Sequence, residues 1–408
     1  MPWSIKILFF LVVAAGAIIL TAIFFPFDNY IPEAESFLSK LSGAPVKIGQ
    51  VRVETRPKIS LALNDVRIGD EKNGIRFNEI RIIPEITSVF SSRTILRDVV
   101  LKGVDLTPEK FAFLSSALTI TNSQNSQILI KRLRLEETNI VYAELAFPGM
   151  LGEVNLGTNR ALESFSMKTP ESNLLIDIKP ERQGGFQVSF ERYGWAFSKD
   201  ITFRAISAKG SFLNGVFNIG ALELLVFNGV VRGNAVMQAP NGQYHLRGNV
   251  DFERINATDL GTLLGIGQKI SGELSGKTAF SATSTSWARL FLEHPSLDGE
   301  FQIHRGSFQG IDLAGAVRQT SGAPFRGGET IFEQLSGKIQ TVPSGYRLSE
   351  LNLTSGLLRS SGALVIGKDK TLNGVMELQL RGSVTRAQTP IQISGALDSI
   401  TAQASARD

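Results

Sequence analysis

The chain has 408 residues, of which 43% are hydrophobic and 20% are charged, with a formal net charge of +4 and no cysteine. The lack of cysteine excludes disulfide bonds and thiolate metal sites, and a weak basic excess without a Lys/Arg run gives no sign of a nucleic-acid partner. The 39 glycines suit many short strands joined by tight turns.

The N-terminal segment predicts a single transmembrane anchor. Residues 5–27 are apolar except for Lys6, and about 20 such residues span a bilayer core. Trp3 stands where an interfacial aromatic residue would. The alternative is a cleaved signal peptide, whose apolar region is usually about 7–15 residues with a small-x-small cleavage site. This run is longer and ends in Phe24-Phe25-Pro26-Phe27, so we expect a retained anchor.

The charges around this span predict its orientation. Lys6 and the terminal amine precede it, whereas Asp28 and Glu33 follow it. The positive-inside rule then places the N-terminus in the cytoplasm and residues 28–408 across the membrane. Together with the absence of cysteine, this fits a bacterial envelope protein whose body lies outside the cytoplasm.

A short amphipathic helix is expected directly after the anchor. Ile31, Ala34, Leu38 and Leu41 fall on one helical face, and Gly43 follows as a stop signal. The helix could lie on the bilayer surface, or it could cap the first strands of the body. The sequence leaves both alternatives open.

From residue 44 the apolar residues alternate with polar ones, which predicts strands with one apolar face. Strand-like segments continue through 128–136, 174–179, 186–191, 201–206, 211–219, 222–227, 230–237 and 244–252, and helices are expected only at 84–92, 108–118, 257–265 and 285–293. The candidates for the apolar face near the membrane are Val46, Ile48, Ile59, Leu61, Leu63, Val66, Ile68, Ile80 and Ile82. Alternation alone does not distinguish a closed β-sandwich from an open groove.

A loose glycine repeat marks the second half of the chain. Each copy has a polar residue, a glycine, any residue and an apolar residue that begins a strand. The copies begin at Ser271, Asp298, Ser336, Ser361 and Ser394, with close relatives at Arg232 and Arg247. The pattern predicts strand pairs that share one kind of glycine-containing turn or bulge.

Both ends of the chain resemble the AsmA-like envelope protein family. The N-terminal resemblance rests on residues 43–49 (GAPVKIG), 61–69 (LALNDVRIG), 83–90 (IPEITSVF) and 95–106 (ILRDVVLKGVDL). The C-terminal resemblance rests on residues 297–301 (LDGEF), 306–313 (GSFQGIDL), 332–337 (FEQLSG), 351–356 (LNLTSG) and 372–376 (LNGVM). Residues 25–106, which begin with FPFD, are also similar to the N component of some type II secretion systems, which is itself AsmA-like.

This resemblance implies a mainly β protein, with an elongated, U-shaped antiparallel sheet that conducts phospholipid between the two membranes of a Gram-negative envelope. The implied partners are phospholipid acyl chains and the inner membrane. If roughly 20 strands stack at about 4.8 Å, the body is about 100 Å long. That length is short for bridging a periplasm alone, so the protein would need an envelope protein partner at its C-terminal end, oligomerisation, or a role that does not bridge the two membranes.

Catalytic signals are weak. The three histidines are His245, His294 and His304, and the last two are ten residues apart, which is not a standard metal spacing. Residues 261–267 do not fit the dinucleotide fingerprint. We therefore expect no enzyme activity, no metal and no cofactor.

Two function classes remain. The first is a protein of outer-membrane lipid homeostasis that binds or conducts phospholipid, and the second is a structural or assembly factor of an envelope machine, such as type II secretion or outer-membrane protein assembly. The expected organisation is a cytoplasmic N-terminus (1–4), an anchor (5–27), a juxtamembrane helix (28–43), an N-terminal β groove (44–255), a C-terminal β module (256–390) and a final strand with a tail (391–408).

Overall fold

The structure is a computed structural model of the chain. It describes residues 29, 31–54, 58–70, 74–88, 94–121, 128–142, 145–156, 162–181, 185–199, 201–263, 269–286, 289–290, 295–318, 323–381 and 386–404. The predicted anchor, with Trp3, Lys6, Phe24 and Phe25, lies outside these residues. Within them, no helix is both long and apolar enough to cross a membrane.

The chain forms two compact units, Met1–Val188 and Ser189–Asp408. The division lies inside the predicted N-terminal groove module (44–255). Strand pairing continues across the predicted boundary near residue 255, because Ile255 pairs with Leu274 on the next strand. The mainly β class is confirmed in both units.

The described part of the first unit has two α-helices, α1 (Ile31–Ser42) and α2 (Pro108–Thr121), and a 3-10 turn at Ile86–Ser88. Its strands are β1 (Val46–Glu54), β2 (Ser60–Ile68), β3 (Ile75–Pro84), β4 (Thr94–Lys102), β5 (Asp105–Leu106), β6 (Ile128–Ile130), β7 (Leu133–Tyr142), β8 (Leu145–Leu156), β9 (Leu162–Lys168) and β10 (Leu174–Pro180). The strand β11 (Phe186–Ala196) begins in this unit and ends in the second.

The prediction of a purely antiparallel sheet is wrong for one part of the first unit. Strand β4 pairs in parallel with β6 and β7, as in Val99 with Leu133, and β5 pairs in parallel with β7. Parallel neighbours need a crossover rather than a hairpin, and the chain between them contains α2. The other registered pairs of this unit are antiparallel.

Helix α1 packs against the first strand. The hydroxyl of Ser39 accepts a hydrogen bond from the backbone N–H of Val46 at 2.8 Å. The carboxylate of Glu35 accepts hydrogen bonds from the Ile48 N–H at 2.9 Å and from Lys47 Nζ at 3.0 Å. These bonds satisfy donors at the edge of β1, so the structure supports the strand-capping alternative for this helix.

Helix α2 fills the core of the first unit. Phe111 and Leu114 are buried on its inner side. The ring of Phe111 meets those of Phe165 and Phe186 edge-on, with centroid distances of 4.4 and 5.0 Å. Phe165 and Met150 are fully buried. The apolar side of these strands is therefore covered by protein.

The second unit has two short α-helices in its described part, α3 (Ala257–Leu263) and α4 (Leu313–Arg318), and a 3-10 turn at Pro240–Gly242. Its strands are β12 (Thr202–Leu213), β13 (Val216–Val226), β14 (Gly229–Gln238), β15 (Tyr244–Asn256), β16 (Ile270–Ser284), β17 (Ser296–Gln309), β18 (Glu329–Val342), β19 (Gly345–Ser355), β20 (Leu358–Gly367), β21 (Thr371–Arg381), β22 (Arg386–Ala396) and β23 (Thr401–Ala404). Each strand from β12 onwards pairs antiparallel with the next.

Some of the predicted helices and strands are confirmed by the structure and others are wrong. The helices predicted at 108–118 and 257–265 are confirmed by α2 and α3, whereas the described residues of 84–92 and 285–293 contain no α-helix. The predicted strand at 211–219 is wrong because Asn214 and Gly215 both have positive φ and form the hairpin turn between β12 and β13. Asn-Gly is the strongest short hairpin signal, and it was present in the sequence.

The unpredicted helix α4 covers the sheet at the C-terminal end. Asp312 Oδ1 accepts a hydrogen bond from the Gly315 N–H at 2.8 Å and so caps its first turn. Thr330 Oγ1 donates to the Ile311 carbonyl at 2.8 Å and accepts from the Leu313 N–H at 2.9 Å. These bonds join the helix to the start of β18, where it packs over a buried apolar core.

Candidate functional site

The second unit separates charged and apolar side chains onto opposite faces of its sheet. In β15, Val250 and Phe252 are half-buried, whereas Asp251 and Glu253 between and beyond them are exposed. Successive side chains of a strand point to opposite faces. The register therefore assigns each residue of the neighbouring strands to one face.

The charged side, here called the polar face, contains a ladder of alternating charges across six neighbouring strands. Its residues pair directly in the order Glu223, Arg232, Asp251, Lys277, Glu300 and Lys338. Opposite charges that face each other across strands are favourable, and they fix the register of a sheet with one apolar face.

The ladder makes short ion pairs. Arg232 lies 2.7 Å from Glu223, and Lys277 lies 2.9 Å from Glu300. The hydrogen bond and charge of Glu300 raise the pKa of Lys277, and the charge of Asp251 adds to this effect. These side chains are about half exposed or more, so the polar face meets water.

The opposite side, here called the apolar face, consists of cross-strand rows without a charged residue. The three rows are Leu224, Val231, Phe252, Gly276 and Phe301; Leu222, Gly233, Val250, Thr278, Gly299 and Ile339; and Ile219, Ala235, Gly248, Phe280 and Leu297.

Burial of this face differs along the second unit. Towards β18–β22, under α4, Leu335, Leu351 and Leu378 are 6%, 2% and 0% exposed. Across β13–β17, large side chains such as Phe252 and Phe280 are only half-buried. A filled sandwich core would bury them fully. The apolar face is thus covered at the C-terminal end and only partly covered in the middle of β13–β17, between residues of the same face that are buried towards the two ends of these strands (Ala235, Met237 and Leu246; Val226 and Ile255).

Glycines in these rows allow close strand approach. A side chain at Gly233 would overlap the carbonyl oxygen of Asn249, and one at Gly248 would overlap that of Asn234. Gly272 and Gly337 lie at register shifts, as the repeat predicts, whereas Gly299 of the same repeat and its relative Gly248 lie inside continuous pairings with both neighbouring strands. Glycine kinks and bulges are the features that curve a sheet.

Three of the bulges in the second unit also carry charged residues with positive φ. Arg254, Arg305 and Glu350 have φ of 52°, 51° and 50°. Arg305 pairs with Glu273 at 2.5 Å, and Glu350 pairs with Lys338 at 2.7 Å, each on a neighbouring strand. These two ion pairs fix the side chains of Arg305 and Glu350, although the positive φ at both positions is a backbone conformation that glycine adopts more easily.

An aromatic cluster adjoins one border of the apolar face. Trp195 meets Phe197 edge-on at 5.2 Å and lies 6.3 Å from Phe203, measured between ring centroids. Phe197 and Phe203 pack on the buried side chains of Ile201, Val226 and Ile255, which also contact α3 and the apolar-face residues Val231 and Phe252. The cluster is therefore continuous with the apolar face.

The residues predicted from the sequence as groove candidates lie elsewhere, in β1–β3 and the segment before β2. Val46, Ile48, Leu63, Val66 and Ile80 are buried in the first unit, Leu61, Ile68 and Ile82 are half-buried, and Ile59 is 50% exposed. The alternation of buried and less buried residues along β2 shifts by one position near Asp65. This residue has φ of 50° and interrupts the pairing of β1 with β2. The kink explains why Leu63 and Val66 are both buried.

Comparison with protein families, with curated proteins and with solved structures finds no match to this chain. Within the described residues, no group of three or more histidine, aspartate or glutamate side chains is placed to hold a metal ion. The half-open apolar face of β13–β17 is therefore the candidate functional site.

Proposed function

We propose that this protein binds phospholipid acyl chains along the apolar face of its second unit. It acts as a single-pass protein of the bacterial inner membrane with a periplasmic body, and it contributes to outer-membrane lipid homeostasis. The observation that carries the proposal is the half-buried apolar surface across β13–β17, opposite a continuous charge ladder.

The physical reason is the cost of apolar surface in water. An acyl chain in water costs about 0.8 kcal/mol for each exposed CH₂ group. Leu224, Val231, Phe252, Phe280 and Phe301 offer an uncharged surface that several strands share. A contiguous apolar surface that the protein itself covers only partly is a candidate interaction site. Acyl chains laid along these rows would cover it.

The curved sheet expected from the glycines and bulges suits a groove, in which chains are shielded and headgroups stay hydrated. Such a groove is passive and gives lipid movement no direction. A concentration gradient or an energised partner must supply it, and an envelope protein at the C-terminal end fits that role in this proposal.

Photo-crosslinking tests the proposal with a matched pair of neighbours in β16. A photoreactive residue replaces Phe280 on the apolar face, and in a control it replaces Ala279, which is exposed on the polar face. We expect lipid adducts at position 280 and few at 279. Capture of protein alone at position 280 would instead favour the assembly-factor alternative.

A further inference from the structure

The aromatic cluster holds a positive charge beside the apolar face. In β11, Phe190 and Arg192 are two residues apart and so share one side of the strand. The ring of Phe190 lies 6.4 Å from that of Trp195. The guanidinium carbon of Arg192 lies 5.2 Å from the centroid of the same Trp195 ring. The indole thus positions the cation by a cation–π contact.

This cation lies in a partly desolvated place. Arg192 is half-buried, and burial lowers its pKa from the ordinary value. An arginine nevertheless stays charged in proteins. A charge held against the Trp195 ring and partly buried loses hydration, which strengthens its attraction for an anion that reaches the same place.

The location suits one end of an amphiphile. Trp195 contacts Phe197 and Phe203, and these pack on the cluster that includes Val231 and Phe252 of the apolar face. The cations of the charge ladder belong to the opposite face, so they cannot meet the headgroup of a chain lying on the apolar face. A molecule with its tails on the apolar face would bring its head to Arg192.

We propose that Arg192, oriented by Trp195, binds the phosphate group of a phospholipid whose acyl chains lie on the apolar face. A guanidinium offers paired N–H donors that match two phosphate oxygens, which a lysine ammonium cannot do. The site therefore distinguishes phospholipids from neutral lipids with the same tails. This inference rests on the proposed acyl-chain binding and adds a headgroup preference to it.

The test compares two lipids with identical acyl chains. The purified full-length chain in detergent is titrated with phosphatidylglycerol and with diacylglycerol, which lacks the phosphate. A charge-assisted hydrogen bond predicts that the wild type binds phosphatidylglycerol about tenfold more tightly. Equal affinity for the two lipids would overturn the headgroup site while leaving acyl-chain binding intact. Absence of binding by both lipids would overturn the proposed function itself.

Three variants assign the preference to the residue. Arg192→Gln should bind both lipids equally, and Arg192→Lys should keep part of the preference. The control Arg247→Gln removes an exposed arginine on the polar face of β15 and should keep the full preference. If Arg192→Gln fails to fold, as judged by circular dichroism, the Arg192→Lys variant decides, because a full tenfold preference in it would contradict bidentate phosphate binding.

Discussion

Gly248→Ala tests the close strand approach beneath the apolar face. Gly248 in β15 lies opposite Ala235 in β14. An added Cβ would overlap the carbonyl oxygen of Asn234 and lie 2.9 Å from the Ala235 Cα atom. Gly233 makes the reciprocal approach to the carbonyl of Asn249. Both obstacles are backbone atoms, so no side-chain rotation relieves the overlap.

The expected cost follows from what must move. The two strands have to separate locally, which weakens one or two ladder hydrogen bonds at about 0.5–1.5 kcal/mol each. Overpacking adds about 1–3 kcal/mol. The smaller entropy of the unfolded alanine variant returns about 0.4–1 kcal/mol. We expect Gly248→Ala to lower the free energy of unfolding by about 2–3 kcal/mol.

Urea denaturation of the purified full-length chain, followed by far-UV circular dichroism, measures this loss. Gly220→Ala in β13 is the control, because the nearest atom to its added Cβ is 4.0 Å away and its φ is not positive. The control should stay within about 0.5 kcal/mol of the wild type or be slightly more stable. If Gly248→Ala unfolds at the same urea concentration as the control, the close-approach argument is wrong.

Two further predictions concern stability. Leu378→Ala removes a side chain that is 0% exposed under α4, and it should lower the free energy of unfolding, measured in urea, by about 2–5 kcal/mol. Leu357→Ala is the control, because this side chain is 67% exposed, and it should change the free energy of unfolding little. Equal losses in the two variants would contradict a covered core under α4. For Glu35, burial acts to raise the pKa, but the bonds from Ile48 N–H and Lys47 outweigh it and hold the pKa below 4.5. Its stabilisation is thus present above pH 4.5 and is lost as the pH falls through the folded-state pKa. At neutral pH, Glu35→Gln should lower the free energy of unfolding by about 1 kcal/mol relative to the wild type, and this difference should disappear in acid. A difference that stays the same at every pH would contradict the ion pair.

The strands of the second unit could largely be predicted from alternation, and part of the charge ladder was also readable. A charged ladder residue stands beside a glycine on four of the six strands, in Arg232-Gly233 (β14), Gly276-Lys277 (β16), Gly299-Glu300 (β17) and Gly337-Lys338 (β18). Three of these glycines, Gly233, Gly299 and Gly337, belong to the glycine repeat or its close relatives. Their common face became evident only from the register, because the paired residues of the ladder lie 9 to 38 residues apart in sequence and a period of two does not identify which strands pair.

The location of the open surface could not be predicted, because it depends on which helices cover which strands. The candidates in β1–β3 have the same alternation as β15, yet α2 fills the core of their unit. Helix α4 was missed because six residues are too few for a helical period to stand out, although Asp312 supplied a capping signal. The parallel pairing of β4 with β7 likewise depends on tertiary contacts.

The most direct test of lipid binding on the apolar face is a photo-crosslinking scan along two paired strands. Residues 249–252 of β15 and 277–280 of β16 are replaced one at a time by a photoreactive residue, and lipid adducts are quantified by mass spectrometry. Lipid capture should alternate with period two, high at 250, 252, 278 and 280 and low at 249, 251, 277 and 279, as the register requires. Equal capture on both faces, or no lipid at any position, would contradict the account.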